Sequence, residues 1–275
     1  MAAGNRGVKE GKRSPPSAAP IDWKLKEFSA GEVERTFQGV LLCLKKMGRR
    51  RWSAWEKHLV DYTCQYETGV NMGLTYAREI VRRRWPELEP ALIRHWPRLS
   101  EYLEWRGFSV GSGPLERLIL GSKQHDIVDR SYAACQYAAI VLEDRWEDGE
   151  RVILEAASVA DEAVNASRVA EAYRKRFFPR QSWPALNERI REGRCTPGFV
   201  VEYSRITGKN CNADANIGLL KADRNAGGFT EVLWDYADEV LGRKLPDDLD
   251  DVMVLKSFEN LDDPFVKKYM ETYCK

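Results

Sequence analysis

Basic and aromatic side chains lie close together in the first hundred residues. Guanidinium and ammonium groups pair with phosphates, and exposed indoles stack on bases, so this combination predicts a site for DNA or RNA. In the structural alternative, the tryptophans are buried in the core and the basic residues form a solvated face. Basic residues near a helix C-terminus also interact favourably with the helix dipole. The candidate residues are Lys45, Lys46, Arg49, Arg50, Arg51, Trp52, Trp55, Arg82, Arg83 and Arg84.

Two of the predicted helices in this region resemble a helix-turn-helix. The segment ETGVN, residues 67–71, lies between them, and Gly69 and Val70 fit the turn of that motif. Gln65 and Thr75 depart from the small and apolar residues usual at their positions. The resemblance implies a recognition helix that would enter the major groove of DNA.

A second set of residues predicts different chemistry. His95, the adjacent pair His125-Asp126, and Asp161 resemble the ligands of the HD-domain phosphohydrolase family. In that family such residues hold a divalent metal that activates a water against a phosphate ester. Asp126 also suits the cap of the helix that follows it. A metal-dependent phosphohydrolase is therefore the enzyme alternative, and outside it we predict neither catalysis nor a cofactor.

Charge is distributed unevenly along a chain whose net charge is only +1. Residues 1–110 contain 20 Lys and Arg against 13 Asp and Glu, a surplus of +7, whereas residues 230–275 contain 6 against 12, a deficit of −6. The front half therefore favours an anionic partner. Internal pairing of the two ends is the alternative, and a helical adaptor that binds another protein through its aromatic residues is a third function.

Other features of the composition limit the class of protein. No apolar run approaches the ~20 residues that span a bilayer, so we expect no membrane partner. The six cysteines are scattered without close pairs, which is typical of the reducing cytoplasm, or of the nucleus in a eukaryote. Gly, Pro, Ser and basic residues dominate residues 1–20, which predicts a disordered basic tail.

Helix start and stop signals recur along the rest of the chain and predict an all-α fold of about ten short helices. Ser53 and Glu56 have the spacing of a capping box, and Asp263 with Pro264 is a favoured helix start. Residues 199–206 are at most a minor strand, because Val and Ile favour one. We find no fixed-period repeat and do not predict a solenoid. A Gly-rich loop suggests two helical subdomains, 21–106 and 114–275, the second with acidic C-terminal helices.

Overall fold

A computed structural model of the chain describes residues 30–49, 51–106, 113–123, 125–159, 162–208, 212–223, 228–260 and 262–274. These residues are helical and contain no strand, which confirms the all-α prediction. They form fifteen α-helices where about ten were predicted, partly because residues 197–207 are helical where at most a minor strand was expected. The helices are α1 Ala30–Lys46, α2 Ser53–Thr63, α3 Glu67–Tyr76, α4 Glu89–Arg94, α5 Trp96–Arg106, α6 Gly113–Gly121, α7 Ile127–Tyr137, α8 Glu147–Ala156, α9 Ala163–Phe177, α10 Pro184–Arg191, α11 Pro197–Thr207, α12 Asn212–Lys221, α13 Phe229–Asp235, α14 Asp247–Glu259 and α15 Pro264–Tyr273.

The helices pack in two layers. Each odd-numbered helix from α1 to α15 contacts the next odd-numbered helix, which builds one continuous layer. The even-numbered helices form the other layer, in which α4, α6 and α8 contact in succession, as do α10, α12 and α14. A chain of helical hairpins stacked in this way is an α-solenoid. The sequence-based prediction against a solenoid is therefore wrong.

A linking triad recurs between successive hairpins. A tyrosine in an odd-numbered helix accepts a hydrogen bond from the backbone N–H at the start of the preceding even-numbered segment, and a buried acid nearby pairs with a cation. The tyrosines are Tyr76, Tyr102, Tyr173 and Tyr269, and the cation–acid pairs are Arg51–Glu56, Arg84–Glu89, Arg145–Glu150 and Lys244–Asp250. Tyr137 and Tyr236 donate to Glu116 and Asn216 in the corresponding places.

The turns before these triads share a backbone conformation. A π-helical turn extends α3, α7 and α13 through Ala77–Val81, Ala138–Leu142 and Tyr236–Leu241. A residue in the left-handed region then ends each helix, namely Arg82 (φ 55°), Glu143 (φ 53°) and Gly242 (φ 60°). The end of α1 is similar, since Gly48 and Arg49 both have positive φ. The left-handed residue turns the chain so that the next helix can pack in the second layer.

Residues 199–206 belong to α11, so the minor strand predicted there is wrong. Thr196 accepts a hydrogen bond from the backbone N–H of Phe199 at 3.3 Å, and Pro197 occupies the first turn, where its missing N–H costs nothing. Phe199, Val200 and Tyr203 are buried against neighbouring helices. Tertiary packing of this apolar face outweighs the β-propensity of its valines.

The loop that was predicted to divide two subdomains lies outside the described residues except for Gly113, and the predicted tail, residues 1–20, lies wholly outside them. On either side of it, α5 and α7 contact each other. The ring of Trp96 stacks on that of Tyr132 with centroids 3.8 Å apart, and Gln136 donates to the backbone carbonyl of Trp96 at 2.9 Å. The helices before and after the loop thus share packed side chains, and the division into subdomains stays a prediction.

Candidate nucleic-acid interface

The first arginine triplet ends in a residue that the fold itself uses. Arg51 donates two hydrogen bonds of 2.7 Å to the carboxylate of Glu56, which is 8% exposed. Tyr76 donates to the same carboxylate at 3.1 Å and accepts from the backbone N–H of Trp52 at 3.4 Å. The hydrogen bond to Glu56 raises the pKa of Arg51 above its ordinary value. Glu56 is thus a partner of Arg51, and the capping box predicted for Ser53 and Glu56 is wrong, because α2 has no side-chain cap.

The second triplet repeats this arrangement. Arg84 donates to Glu89 at 2.5 and 2.7 Å, and Glu89 is fully buried. Tyr102 accepts from the backbone N–H of Trp85 at 2.5 Å. A bidentate guanidinium–carboxylate pair at a buried site is needed for stability, because either charge alone would be strongly destabilising. The third arginine of each triplet therefore serves the fold and is not free to bind phosphate.

The two triplets lie side by side because Tyr76 contacts both turns. Its hydroxyl binds Trp52, which follows the first triplet, and its ring packs 5.3 Å from that of Trp85, which follows the second. Among the described residues of the triplets, Arg49, Arg82, Arg83 and Arg51 are exposed, and the first three are not held by a buried glutamate as Arg51 is. We call these three residues the basic edge. Arg50 lies outside the described residues.

The two lysines before the first triplet differ in their surroundings. The ammonium group of Lys45 lies 2.7 Å from a carboxylate oxygen of Glu79 in the helical turn that extends α3. Lys46 is exposed on α1. Lys45 therefore links the first two hairpins, and Lys46 is the lysine of the pair that faces solvent.

The candidate tryptophans are built into the fold. Trp55 is 5% exposed, Trp52 is half-buried, and their ring centroids lie 6.4 Å apart. An indole must present a free face before a base can stack on it. Burial of Trp55 matches the alternative role as a core anchor, and any nucleic acid at this edge would be held by its phosphates.

The helix-turn-helix expected at residues 67–71 is wrong. These residues lie inside α3, and the turn between α2 and α3 falls at residues 64–66. Gly69 is needed for helix packing, because a Cβ atom added there would lie 2.8 Å from the ring of Tyr62. Gly73 has the same role against Leu88, at 2.6 Å.

The metal alternative gains no support from the described residues. Within them no three His, Cys, Asp or Glu side chains are grouped as a metal ion would require, and Asp161 lies outside them. Asp126 caps α7, accepting from the backbone N–H of Val128 at 2.7 Å. Burial lowers the pKa of His95 and of His125, and Arg94 and Arg130 lower that of His125 further. A shared metal site formed by His95, His125, Asp126 and Asp161 therefore stays a prediction.

A groove of about 290 Å³ lies between α2 and the segment that begins at Trp85. Asp61 and Glu87 contribute carboxylates to its lining, together with Lys57. Carboxylates repel a phosphate, so this groove is a poor site for the backbone of a nucleic acid.

Comparison of the chain with protein-family models, with curated proteins and with solved structures finds no match. Through the described part of the chain, none of the helices has the length and apolar character needed to cross a membrane. The argument for function therefore depends on the chain's own geometry.

Sequence reasoning missed the linking triads, although a signal for them exists. The pattern Arg-Trp followed four residues later by Glu occurs at 51–56, 84–89 and 145–150. A tyrosine stands nine residues before the second and third of these tryptophans, at Tyr76 and Tyr137. The buried tyrosines at 76, 102, 137, 173, 203, 236 and 269 are unevenly spaced, which hides the repeat from a fixed-period search.

Proposed function

We propose that this chain is an α-solenoid scaffold that binds nucleic acid through the phosphates, using the basic edge formed by Arg49, Arg82 and Arg83. The observation that carries the proposal is the position of three exposed guanidinium groups on two adjacent turns. Each extends from a turn between two helices, so a ligand that runs along the edge can contact both turns at once.

The surroundings of the basic edge support this use. The nearby carboxylates of Glu56 and Glu89 are already paired with Arg51 and Arg84. No ion pair is found for Arg49, Arg82 or Arg83 within the described residues, so their charge is available to a ligand. Binding through phosphates alone is independent of sequence and weakens steeply with salt.

The test is a titration of the full chain with fluorescently labelled duplex DNA, single-stranded DNA and RNA at ~50 mM salt, repeated over a series of salt concentrations. The variants are Arg49→Gly, Arg82→Gly and Arg83→Ser. Gly suits the left-handed conformation of Arg49 and Arg82, so these changes remove charge without straining the turn. Each is expected to lower affinity about tenfold and to reduce the salt slope by roughly one unit.

Arg243→Ser is the matched control. Arg243 is exposed and stands two residues before Leu245, as Arg83 stands two residues before Trp85, but it lies in the turn before α14. Its loss should leave affinity within about twofold, since it makes no contact at the basic edge. Absence of binding to any of the three nucleic acids would refute the proposed function, and equal losses for Arg83→Ser and Arg243→Ser would refute the assigned edge.

A further inference from the structure

The outer face of α14 combines apolar and acidic residues in one stripe. Asp251, Leu255 and Phe258 follow one another at helical spacing, and Phe258 is 78% exposed and Leu255 56%. Asp248 and Glu259 are exposed beside them. We call these five residues the tail stripe. An exposed Phe and Leu on one helix face are typical of a protein-binding surface.

Other even-numbered helices have a polar residue at the position that corresponds to Leu255. Leu255 stands five residues after the triad acid Asp250, and the residues five positions after Glu56 and Glu150 are the exposed Asp61 and Glu155. The fold itself therefore does not require an apolar residue at this position.

The exposed face of α1 has a complementary character. Gly39, Leu42, Cys43 and Lys46 are exposed on this face at helical spacing, and Met47 is exposed directly after the helix, with Leu42 56% and Met47 54% exposed. We call them the head stripe. A Cβ atom added at Gly39 would meet no atom within 4 Å, so a second helix has room to approach there.

The position of Cys43 identifies this face as a stacking face. Cys43 stands nine residues before Trp52, just as Tyr76 stands nine residues before Trp85. Tyr76 is fully buried against the preceding hairpin, whereas Cys43 is exposed. The head stripe is thus the surface that, in later hairpins, packs on a helical neighbour.

We infer that the head stripe of one copy of this chain binds the tail stripe of a second copy. Each stripe has two large exposed apolar residues, and the charges are opposite: Lys46 would face the acids Asp248 and Asp251, because Glu259 is already paired with Lys256 at 2.7 Å. The charge of the whole chain is distributed in the same way, with a surplus of basic residues in the first 110 and of acidic residues in the last 46. This inference does not rest on the proposed binding of nucleic acid.

The contact is heterologous, because two different surfaces meet, and so each dimer retains one free head stripe and one free tail stripe. Copies then add head to tail. One helix packed on another buries less than the ~1,600 Å² of a standard interface, so the association is expected to be weak and to depend on protein concentration. Its ionic part should weaken as salt screens the charges.

Sedimentation velocity of the full chain over a range of concentrations tests the inference. The wild type should form species larger than a dimer as concentration rises, and fewer of them in high salt. Leu42→Ser and Phe258→Ser each remove an exposed side chain, so both variants should fold, as circular dichroism can verify. Each variant alone should weaken association at least about tenfold, as loss of a central apolar anchor does. Ile217→Ser, at another exposed apolar residue (39%), is the control and should associate like the wild type.

Mixing the two variants gives the decisive result. The Leu42→Ser chain keeps an intact tail stripe and the Phe258→Ser chain keeps an intact head stripe. Their mixture should form a dimer and nothing larger, because each dimer has no intact surface left. A wild type that stays monomeric at every concentration would overturn the inference. So would a mixture that stays monomeric, or a Phe258→Ser variant that still associates fully, as a symmetric contact between two head stripes predicts.

Discussion

The turns that precede the first two triads and the turn that precedes α8 have the same backbone and opposite charge. Arg49, Arg82 and Glu143 each stand three residues before a tryptophan, and all three have a positive φ. The residue just before the tryptophan is always an arginine bound to a buried glutamate. Between the left-handed residue and that arginine lies Arg83 in the turn before α4 and Asp144 in the turn before α8. The fold therefore fixes the third position and leaves the first two free to differ in charge.

The largest expected effect is on the stability of the protein, where Arg84, the third residue of its triplet, should matter far more than Arg83, the second. Arg84→Ala leaves Glu89 fully buried without its cation, which should lower the free energy of unfolding by about 3–5 kcal/mol. Arg83→Ala, one residue earlier and exposed, should change it by less than about 0.5 kcal/mol. Urea denaturation of both variants measures the difference. Similar values for the two would show that the triad arginine is not needed for stability.

Reversal of charge at the two kinds of turn tests whether binding is local. Arg82→Glu combined with Arg83→Asp should reduce affinity for nucleic acid about 100-fold at ~50 mM salt, since roughly tenfold is lost with each phosphate contact. Glu143→Arg changes the charge of an equivalent turn in the opposite direction. Anisotropy titrations should show a change of less than about threefold for it. A gain as large as the loss at Arg82 would mean that the overall charge of the molecule, and not the basic edge, governs binding.

Loss of one triad hydroxyl should have an intermediate effect. Tyr173→Phe leaves the backbone N–H of Trp146 without its acceptor at 3.0 Å and removes a donor to Glu150. A buried unsatisfied group of this kind costs about 1–2 kcal/mol of stability. Tyr76→Phe should cost less, because its bond from the N–H of Trp52 is longer, at 3.4 Å. Thermal or urea unfolding that ranks the two in the reverse order would contradict this reading of the distances.

The region of α7 should also respond to pH. Burial, with help from Asp126 and Glu162, raises the pKa of Asp129 to about 6. The folded-state pKa lies above that of the unfolded chain, so the unfolded state releases its proton first as pH rises. Stability from this group is therefore complete below about pH 4 and is lost between pH 4 and 6. Asp129 is half-buried, so the loss should be no more than about 1 kcal/mol.

Asp129→Asn isolates this contribution, because it removes the ionisation and keeps the shape of the side chain. The variant should be more stable than the wild type at pH 7 and should lose less stability than the wild type between pH 4 and 6. Denaturation curves collected across that range give the comparison. Parallel curves for the two proteins would rule out a folded-state pKa near 6.

The smallest effect concerns the backbone that the turns share. Arg82→Gly and Glu143→Gly each relieve a left-handed conformation that costs a non-Gly residue about 1–2 kcal/mol, although Gly also loses more entropy on folding. The net gain should be about 0.5 kcal/mol and should be the same at both sites. Melting temperatures measured side by side test this equality, and a gain at only one site would show that the two turns are not equivalent.

The sequence predicted those parts of the fold that depend on neighbouring residues. Asp263 accepts from the backbone N–H groups of Phe265 and Val266, as its position before Pro264 indicated. Asp126 likewise caps α7, as one of its two interpretations required. Caps of this kind are local, because the acceptor and its donors lie within one turn of each other.

The triads could not be predicted in the same way, since they join residues far apart in the chain. The N–H of Trp85 and the hydroxyl of Tyr102 are separated by 17 residues, and those of Trp146 and Tyr173 by 27. Glu56 therefore looked like a capping residue for Ser53, and Arg51 and Arg84 looked like free cations. The exposure of Trp52 and Trp55 was equally undetermined, because an aromatic residue beside arginines suits both a core and a ligand site.

The triads also set an order in which the chain can mature during synthesis. When Glu56 leaves the ribosome, its carboxylate already has Arg51, but the hydroxyl of Tyr76 emerges 20 residues later. Similar delays of 23 and 19 residues separate Glu150 from Tyr173 and Asp250 from Tyr269, so these units also wait for part of their successors before their polar groups are satisfied. Translation at ~5–20 residues per second makes that interval a second or more. Helices as short as these are marginal in water on their own, so such a unit reaches its full stability only after the tyrosine of its successor has been made, and the solenoid is completed in the direction of synthesis.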